Sequence, residues 1–317
     1  MTTQCVNRLS TALQSQSVCV IGGGGFIGSH LVDALLDEGC RLRVLSRKLP
    51  GLLDRKALLS PNLSVHNVDI RNGASLNEAI QGCDYVVHLA SSSLPKDSNL
   101  NPKEDVSINL IGSLNVIDAC IQHNVKKLVF ISSGGTVYGN PISVPIEESH
   151  PTNPTCSYGI TKLAIEKYLH LNGKLNDLNH VILRLANPYG ERQRLDTGQG
   201  VVPAFLRKAI QSQPLEVWGD GTTVRDFLYI SDVVSAIICS CKYDGKERLF
   251  NIGSGSGLSL NQLISLIEDI LDTKLNIIHK ESRSFDVPTN VLSIQKALKH
   301  LDWSPKVLPR EGLNLFY

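Results

Sequence analysis

Val18-Cys19-Val20-Ile21 runs directly into Gly22-Gly23-Gly24-Gly25-Phe26-Ile27-Gly28-Ser29-His30, and Leu31, Val32, Ala34, Leu35 and Leu36 follow. Four consecutive apolar residues fit a strand buried on both faces, and the spacing of the later ones fits a helix. Gly22 would allow the tight turn between them, Gly25 would let backbone approach a pyrophosphate, and Gly28 would let helix pack closely on strand. The N–H groups around Phe26 and Ile27, with the positive end of the helix dipole, would then face the phosphates. A glycine run alone would describe no more than a flexible loop. The strand before it and the helix after it make it a dinucleotide-binding turn.

The same alternation continues. Apolar, strand-like runs occur at Val18–Ile21, Arg41–Leu45, Ser64–Val68, Tyr85–Leu89, Leu128–Ile131 and Val181–Leu185, with helical patterns at 29–38, 74–81, 104–124 and 157–171. Strands and helices joined by short links imply an α/β fold, a doubly wound parallel sheet covered on both faces. Ligands of such sheets collect at the carboxyl ends of the strands. There the sequence places the glycine turn, Ser46-Arg47, Asp69-Ile70, Leu89-Ala90-Ser91 and Ser132-Ser133. We expect a loose arm over 1–16, a dinucleotide-binding domain over 17–187, and a smaller mixed α/β region over 188–317, with a return of the chain to the sheet admitted near 225–255.

Thirty-one Lys and Arg against 30 Asp and Glu leave a formal net charge of +1. With the basic residues scattered, this argues against a nucleic-acid surface. The eight cysteines show one close pair, Cys239-Ser240-Cys241, in an apolar helical stretch without a His partner. It reads as core filling rather than as a metal site, and scattered thiols fit a reducing cytosol. No apolar run is long enough to span a membrane, and residues 1–16 lack the apolar core of a signal peptide. His30, His88, Trp218 and Trp303 read as packing residues.

Tyr158 and Lys162 stand one helical turn apart, so the phenol and the ammonium share a face. A cation near a phenol favours its phenolate and suits it to exchange protons with a substrate hydroxyl. The spacing is common by chance, and its meaning comes from the dinucleotide turn upstream.

These segments together resemble the extended short-chain dehydrogenase/reductase superfamily, in particular its nucleotide-sugar epimerase/dehydratase group. The likeness runs from about Ser17 to about Gly312. It rests on Gly22-x-x-Gly25-x-x-Gly28, Asp69-Ile70, His88-Leu89-Ala90, Asn109-x-x-Gly112-Ser113, Ser132-Ser133-Gly134-Gly135-Thr136-Val137-Tyr138-Gly139, Tyr158-x-x-x-Lys162, Arg184-x-x-Asn187-Pro188-Tyr189-Gly190, Gly219-Asp220-Gly221, Arg225-Asp226-Phe227, Asn251-Ile252-Gly253 and Leu301-x-Trp303-x-Pro305. The resemblance implies that Tyr158 exchanges a proton with the sugar hydroxyl while Lys162 bonds the nicotinamide ribose and lowers the phenol pKa. It places Asp69 and Ile70 at the adenine and Leu89, Ala90, Ser91, Asn109 and Ser132 along the cofactor. Asn187 falls by the sugar diphosphate, and Arg225 and Arg283 bind the nucleotide diphosphate, which a guanidinium fork suits.

Two departures qualify this. Gly134 stands where the family carries a Ser or Thr hydroxyl, so Ser133 or Thr136 is expected to serve instead; Gly135 and Thr136 replace the acid pair of the 4,6-dehydratases, which argues against that reaction. Ser46 stands where an acidic residue bonds the NAD ribose, and Arg47 could meet a 2′-phosphate. NAD is the expected cofactor, with NADP open. The resemblance implies a UDP-hexose or UDP-N-acetylhexosamine 4-epimerase. A 4-keto-6-deoxy sugar-nucleotide reductase consuming NAD(P)H is the alternative, and a non-catalytic nicotinamide sensor a lesser one. A homodimer through the helices at 104–124 and 157–171 is expected.

Overall fold

In the computed structural model the chain is described over residues 13–47, 51–91, 95–194, 200–282 and 287–317. Six strands of the central sheet come from the first half: β1 (Ser17–Ile21), β2 (Arg41–Ser46), β3 (Leu63–Asn67), β4 (Tyr85–His88), β5 (Lys127–Ser133) and β6 (His180–Leu185). All pair in parallel, in the order β6-β5-β4-β1-β2-β3, and the Leu249–Ile252 strand adds beside β6 as the seventh. The chain therefore returns to the sheet from its C-terminal region.

Side chains alternate across each strand, and here both faces are covered. Val18 and Val20 of β1 join Val44, Val129 and Val181 in one core, against Leu31, Val32 and Leu35 of the Phe26–Asp37 helix and Val233 and Ile237 of the Ile230–Lys242 helix. Cys19 and Ile21 point the other way, joining Leu128, Phe130 and Ile182 beneath the Gly73–Ile80, Gly112–Gln122 and Ser157–Leu175 helices. Strand order reverses between β4 and β1, which opens a crevice at the carboxyl ends of those two strands. The glycine turn after β1 and Leu89-Ala90-Ser91 after β4 flank it.

Several expectations are refined. The 104–124 helix is three pieces, α-helical over Pro102–Asp105, π-helical over Val106–Ile111 and α-helical again over Gly112–Gln122. Of the expected loose arm, Leu13 is fully buried and accepts a hydrogen bond from the Cys40 thiol at 3.3 Å, so packing begins before Ser17. Cys241 is buried on the Ile230–Lys242 helix, as core filling requires. Trp303 is buried too, its indole N–H donating to Ser235 Oγ at 2.9 Å. Small sheets over 187–229, 215–280 and 224–290 build the rest of the C-terminal region.

Candidate active site

The glycine turn has the geometry its spacing predicts. Gly22 takes φ +86°, and a Cβ there would stand 2.9 Å from Ala90 N; a Cβ on Gly28 would fall 2.3 Å from Gly22 O. Side chains at both positions would push apart the strand, the turn and the helix. Gly25, the N-cap of the Phe26–Asp37 helix, would meet only Gly22 O at 3.3 Å, so its outer side is open to a ligand. That open face above an uncapped helix N-terminus fits a pyrophosphate.

At the ends of β2 and β3, Ser46 lies in register with Asn67, and Arg47 is exposed. Asp69, expected at the adenine, is clasped by Arg71, whose Nε and Nη2 reach its carboxylate at 3.1 and 2.6 Å. That hydrogen-bonded guanidinium, with smaller help from the Arg47 charge, holds the carboxyl at about 2. Ile70 is buried against Gly112, where a Cβ would come within 2.5 Å of it. Leu89 N–H donates to Ile21 O at 2.9 Å, tying β4 to β1 beside the turn.

Tyr158 lies in the first turn of the Ser157–Leu175 helix. A Cβ on the next residue, Gly159, would stand 2.8 Å from Thr136 O, so this glycine lets the helix seat directly on the Thr136 turn. Lys162 is 3% exposed; its Nζ donates to Ile131 O at 2.8 Å and lies 4.7 Å from the Phe130 ring and 5.6 Å from the Tyr158 ring. Burial lowers this ammonium to about 8, against the opposing pull of Glu166 and Asp105. Burial likewise pushes the Tyr158 phenol up to about 12, with a Ser91 hydrogen bond acting the other way. Lys162 is not among the groups that act on the phenol, so the lowering that the resemblance implies is not seen here, and desolvation favours the neutral form of each group.

The structure explains why residue 134 is glycine. A Cβ there would stand 2.5 Å from Leu292 Cδ1 and 3.2 Å from Leu185 O, while Gly134 N–H donates to Leu185 O at 2.7 Å. Seating a side chain requires the fully buried Leu292 to give way. We expect Gly134→Ser to lower stability by about 1–3 kcal/mol in denaturant melts, the usual cost of overpacking, rather than to improve the site. Of the two proposed replacements, Thr136 is the distinctive one: its Oγ1 is buried and has no hydrogen-bond partner among the described residues. A buried hydroxyl without a partner is costly, and a ligand within its reach would satisfy it. Ser133 is half-buried, with Oγ 3.9 Å from the Cβ position of Gly135.

Other expected contacts are turned inward. Ser132 Oγ donates to Glu166 Oε1 at 2.5 Å, and Glu166 also forms a buried ion pair with Arg184 at 2.6 Å. Asn109 Nδ2 donates to Asp105 Oδ1 at 2.7 Å. His88 is buried with Nε2 at 2.8 Å from Ser113 Oγ, and burial drives its pKa down to about 3. His30 Nε2 lies 2.8 Å from Glu191 O. Both rings are held by these contacts, and His88 Nδ1, like Thr136 Oγ1, is buried without a hydrogen-bond partner among the described residues.

A cavity of about 250 Å³ opens in the C-terminal region, lined by Asn187, Trp218, Thr223, Arg225, Phe227 and Leu260 among others. Asn187 Nδ2 donates to Asp226 O at 2.9 Å. Arg225 Nη1 is aimed by the carbonyls of Val224 and Val287 at 2.9 and 2.7 Å. Neighbouring Asp226 turns away to Ser254 and Leu292, accepting from both N–H groups and the Ser254 hydroxyl. Trp218, expected to pack, is 40% exposed on the cavity wall instead. Its strand buries Leu215 and Val217, and alternation turns Trp218 outward. Arg283 lies outside the described residues.

The model of the NAD dependent epimerase/dehydratase family matches residues 18–253. The chain belongs to that family. It is 35% identical to a putative UDP-glucose 4-epimerase of Methanocaldococcus jannaschii over 94% of this chain and 96% of that protein. It is 32% identical to an Escherichia coli dTDP-4-dehydro-6-deoxyglucose reductase, over 95% and 96%. Among solved structures, UDP-glucose 4-epimerase of Thermotoga maritima with UDP-glucose superposes with a TM-score of 0.89 at 34% identity, covering 95% of this chain and 97% of that one.

Sequence reasoning did not single out Ser98, Asn99, Asp105 or Glu166. Two of them carried a signal: Glu166 lies one turn beyond Lys162, and Asp105 one turn before Asn109, each on the face of a residue already chosen. Among the described residues no group of His, Cys, Asp and Glu could hold a metal ion, and no helix is long and apolar enough to cross a membrane.

Proposed function

We propose that this protein is an NAD-dependent nucleotide-sugar 4-epimerase acting on a UDP-hexose or UDP-N-acetylhexosamine. What supports the reading is that Tyr158 and the buried Lys162 share a helix, with Nζ 5.6 Å from the Tyr158 ring, and that this helix seats on the backbone of Thr136, whose hydroxyl is buried without a partner among the described residues. NAD, when bound, supplies the hydride acceptor and donor that allows the sugar C4 centre to invert. The open Gly25 face would hold its pyrophosphate, and the Lys162 ammonium would bond its nicotinamide ribose. As the phenolate, Tyr158 takes the proton of the C4 hydroxyl and later returns it, so the net reaction is isomerisation. Thr136 donates to the oxygen on which charge collects. Asn187 and Arg225 hold the diphosphate, and exposed Trp218 offers a stacking face to the base.

Replacing Thr136 with Val keeps the shape and removes the hydroxyl. We expect kcat to fall by about a hundredfold, the cost of one lost transition-state donor, with the melting temperature retained. An unchanged kcat would transfer the role to Ser133.

The reductase remains a second reading because of the Escherichia coli relative and because Ser46-Arg47 closes β2 without a carboxylate. One experiment separates the two. The cofactor released from purified protein is identified by mass, and the protein is then incubated with UDP-sugars without added nicotinamide. Isomerisation under those conditions supports the epimerase; a strict need for stoichiometric NADPH supports the reductase.

The protein acts as a homodimer in this reading. Ile160, Tyr168, Leu171 and Leu175 are 57, 40, 46 and 69% exposed along one helix, with Ile111 at 47% close by in sequence to the second. Such a contiguous apolar face calls for a cover. Light scattering at micromolar concentration should give twice the 34.6 kDa chain mass, and Leu171→Asp should give the monomer.

A further inference from the structure

Asp105 has no role in the chemistry above, yet it is 2% exposed and both of its oxygens are engaged. Oδ1 accepts from Asn109 Nδ2 at 2.7 Å; Oδ2 accepts from Ser157 Oγ at 3.0 Å and Thr161 Oγ1 at 2.6 Å. Ser157 and Thr161 are the residues immediately before Tyr158 and Lys162. The helix that begins there has no cap of its own, since Cys156 makes no side-chain cap bond. Ser157 N–H donates to Asn99 Oδ1 at 2.8 Å and Tyr158 N–H to Ser98 Oγ at 3.0 Å. The first turn is thus capped by a different segment, residues 98–105, and Asp105 closes the clasp.

We propose that Asp105 is a positioning residue for the proton-transfer pair: its carboxylate locks the Tyr158–Lys162 turn to the Asn109 segment, and its charge sets the balance between phenol and ammonium. The inference rests on the roles given to Tyr158 and Lys162 under the proposed function. A buried negative charge favours the Lys162 ammonium and disfavours the Tyr158 phenolate, and both groups feel it in that sense. The other groups facing Lys162 are Glu166 on its own helix, His88 from β4, and the Phe130 ring and Ile131 carbonyl from β5. Those facing Tyr158 are Ser91, beyond β4, and Cys156.

Asp105→Asn separates charge from scaffold. With its oxygen toward Asn109 Nδ2, the amide nitrogen faces two hydroxyls that can each accept. Removing the charge should displace both limbs of the rate–pH profile, read as substrate-driven nicotinamide reduction in the full-length protein, to lower pH by about one unit. That is about tenfold less activity than wild type on the alkaline side. Cofactor binding, read by calorimetric titration with NAD, should not change. A profile that superimposes on wild type, or that drops equally at every pH, overturns the proposal. If Asp105→Asn does not fold, Asp105→Glu keeps the charge: a slower enzyme with an undisplaced profile supports the proposal, and a displaced profile overturns it. Wild-type protein that reduces no nicotinamide with any UDP-sugar removes the epimerase reading and this inference together; active wild type with an unshifted Asp105→Asn removes the inference alone.

Discussion

Tyr158→Phe should reduce epimerisation by about 10²–10⁴-fold, the usual contribution of a positioned general acid/base, while leaving cofactor binding and folding intact. The ring that packs 5.6 Å from the Lys162 ammonium stays, as does the backbone bond to Ser98; only the hydroxyl and its bond to Ser91 are lost. The phenol lies high, at about 12, and the ammonium low, at about 8. Near neutral pH the resting pair is therefore a neutral phenol beside a protonated lysine. Activity that needs the ammonium is lost as pH rises through the Lys162 value, and activity that needs phenolate is gained with rising pH. Steady-state rates and cofactor titration on the same preparation check the point. A variant with wild-type turnover would remove Tyr158 from the chemistry; one that also lost the cofactor would make its role structural.

The largest effect on stability should come from Glu166→Leu. Its carboxylate is buried with the Arg184 guanidinium, which bonds it at 3.0, 3.2 and 2.6 Å and lies 4.7 Å from the Tyr138 ring. Ser132 bonds the same carboxylate, and Tyr138 passes on to Asn251 at 2.6 Å. Removing one member leaves a desolvated cation, at a cost of about 3–5 kcal/mol, against a total stability of about 5–15 kcal/mol for a typical domain. Replacing both partners, Glu166→Leu with Arg184→Leu, should recover most of that loss, because no lone charge remains. Denaturant midpoints of the two singles and the double decide it. Additive losses would mean that the pair is not coupled.

The sheet was legible because buried parallel strands write themselves as short apolar runs, and the six strand-like runs fall within one or two residues of β1 to β6. The seventh strand, Leu249–Ile252, was harder: Asn251 interrupts it, and its burial depends on a neighbour, β6, that lies far away in the chain. The π-helical turn at Val106–Ile111 left no periodic signature of its own. Local spacing revealed the Tyr158–Lys162 pair and the dinucleotide turn, since one helical turn and one strand-to-helix link fix those geometries. Asp105, Ser98 and Asn99 act across more than fifty residues of sequence on the helix they cap, where spacing carries no information. Gly134 read only as a missing hydroxyl that Ser133 or Thr136 would replace, and its physical reason is volume: Leu292, distant in sequence, fills the space a side chain would need.

Because the last strand of the sheet comes from far beyond β6 in the chain, the first six strands have no complete form of their own. Cutting the chain after Asn187 would strip the Leu249–Ile252 strand from β6, a strand buried at all six positions. The bonds from Ile182 N–H to Arg248 O and from Ala186 N–H to Ile252 O, each 2.8 Å, would be lost, leaving an apolar edge open to strand pairing between molecules. A chain emerging from the ribosome meets the same condition until residue 252 has been made, so its first six strands must wait unsealed, and chaperone dependence should concentrate in that interval.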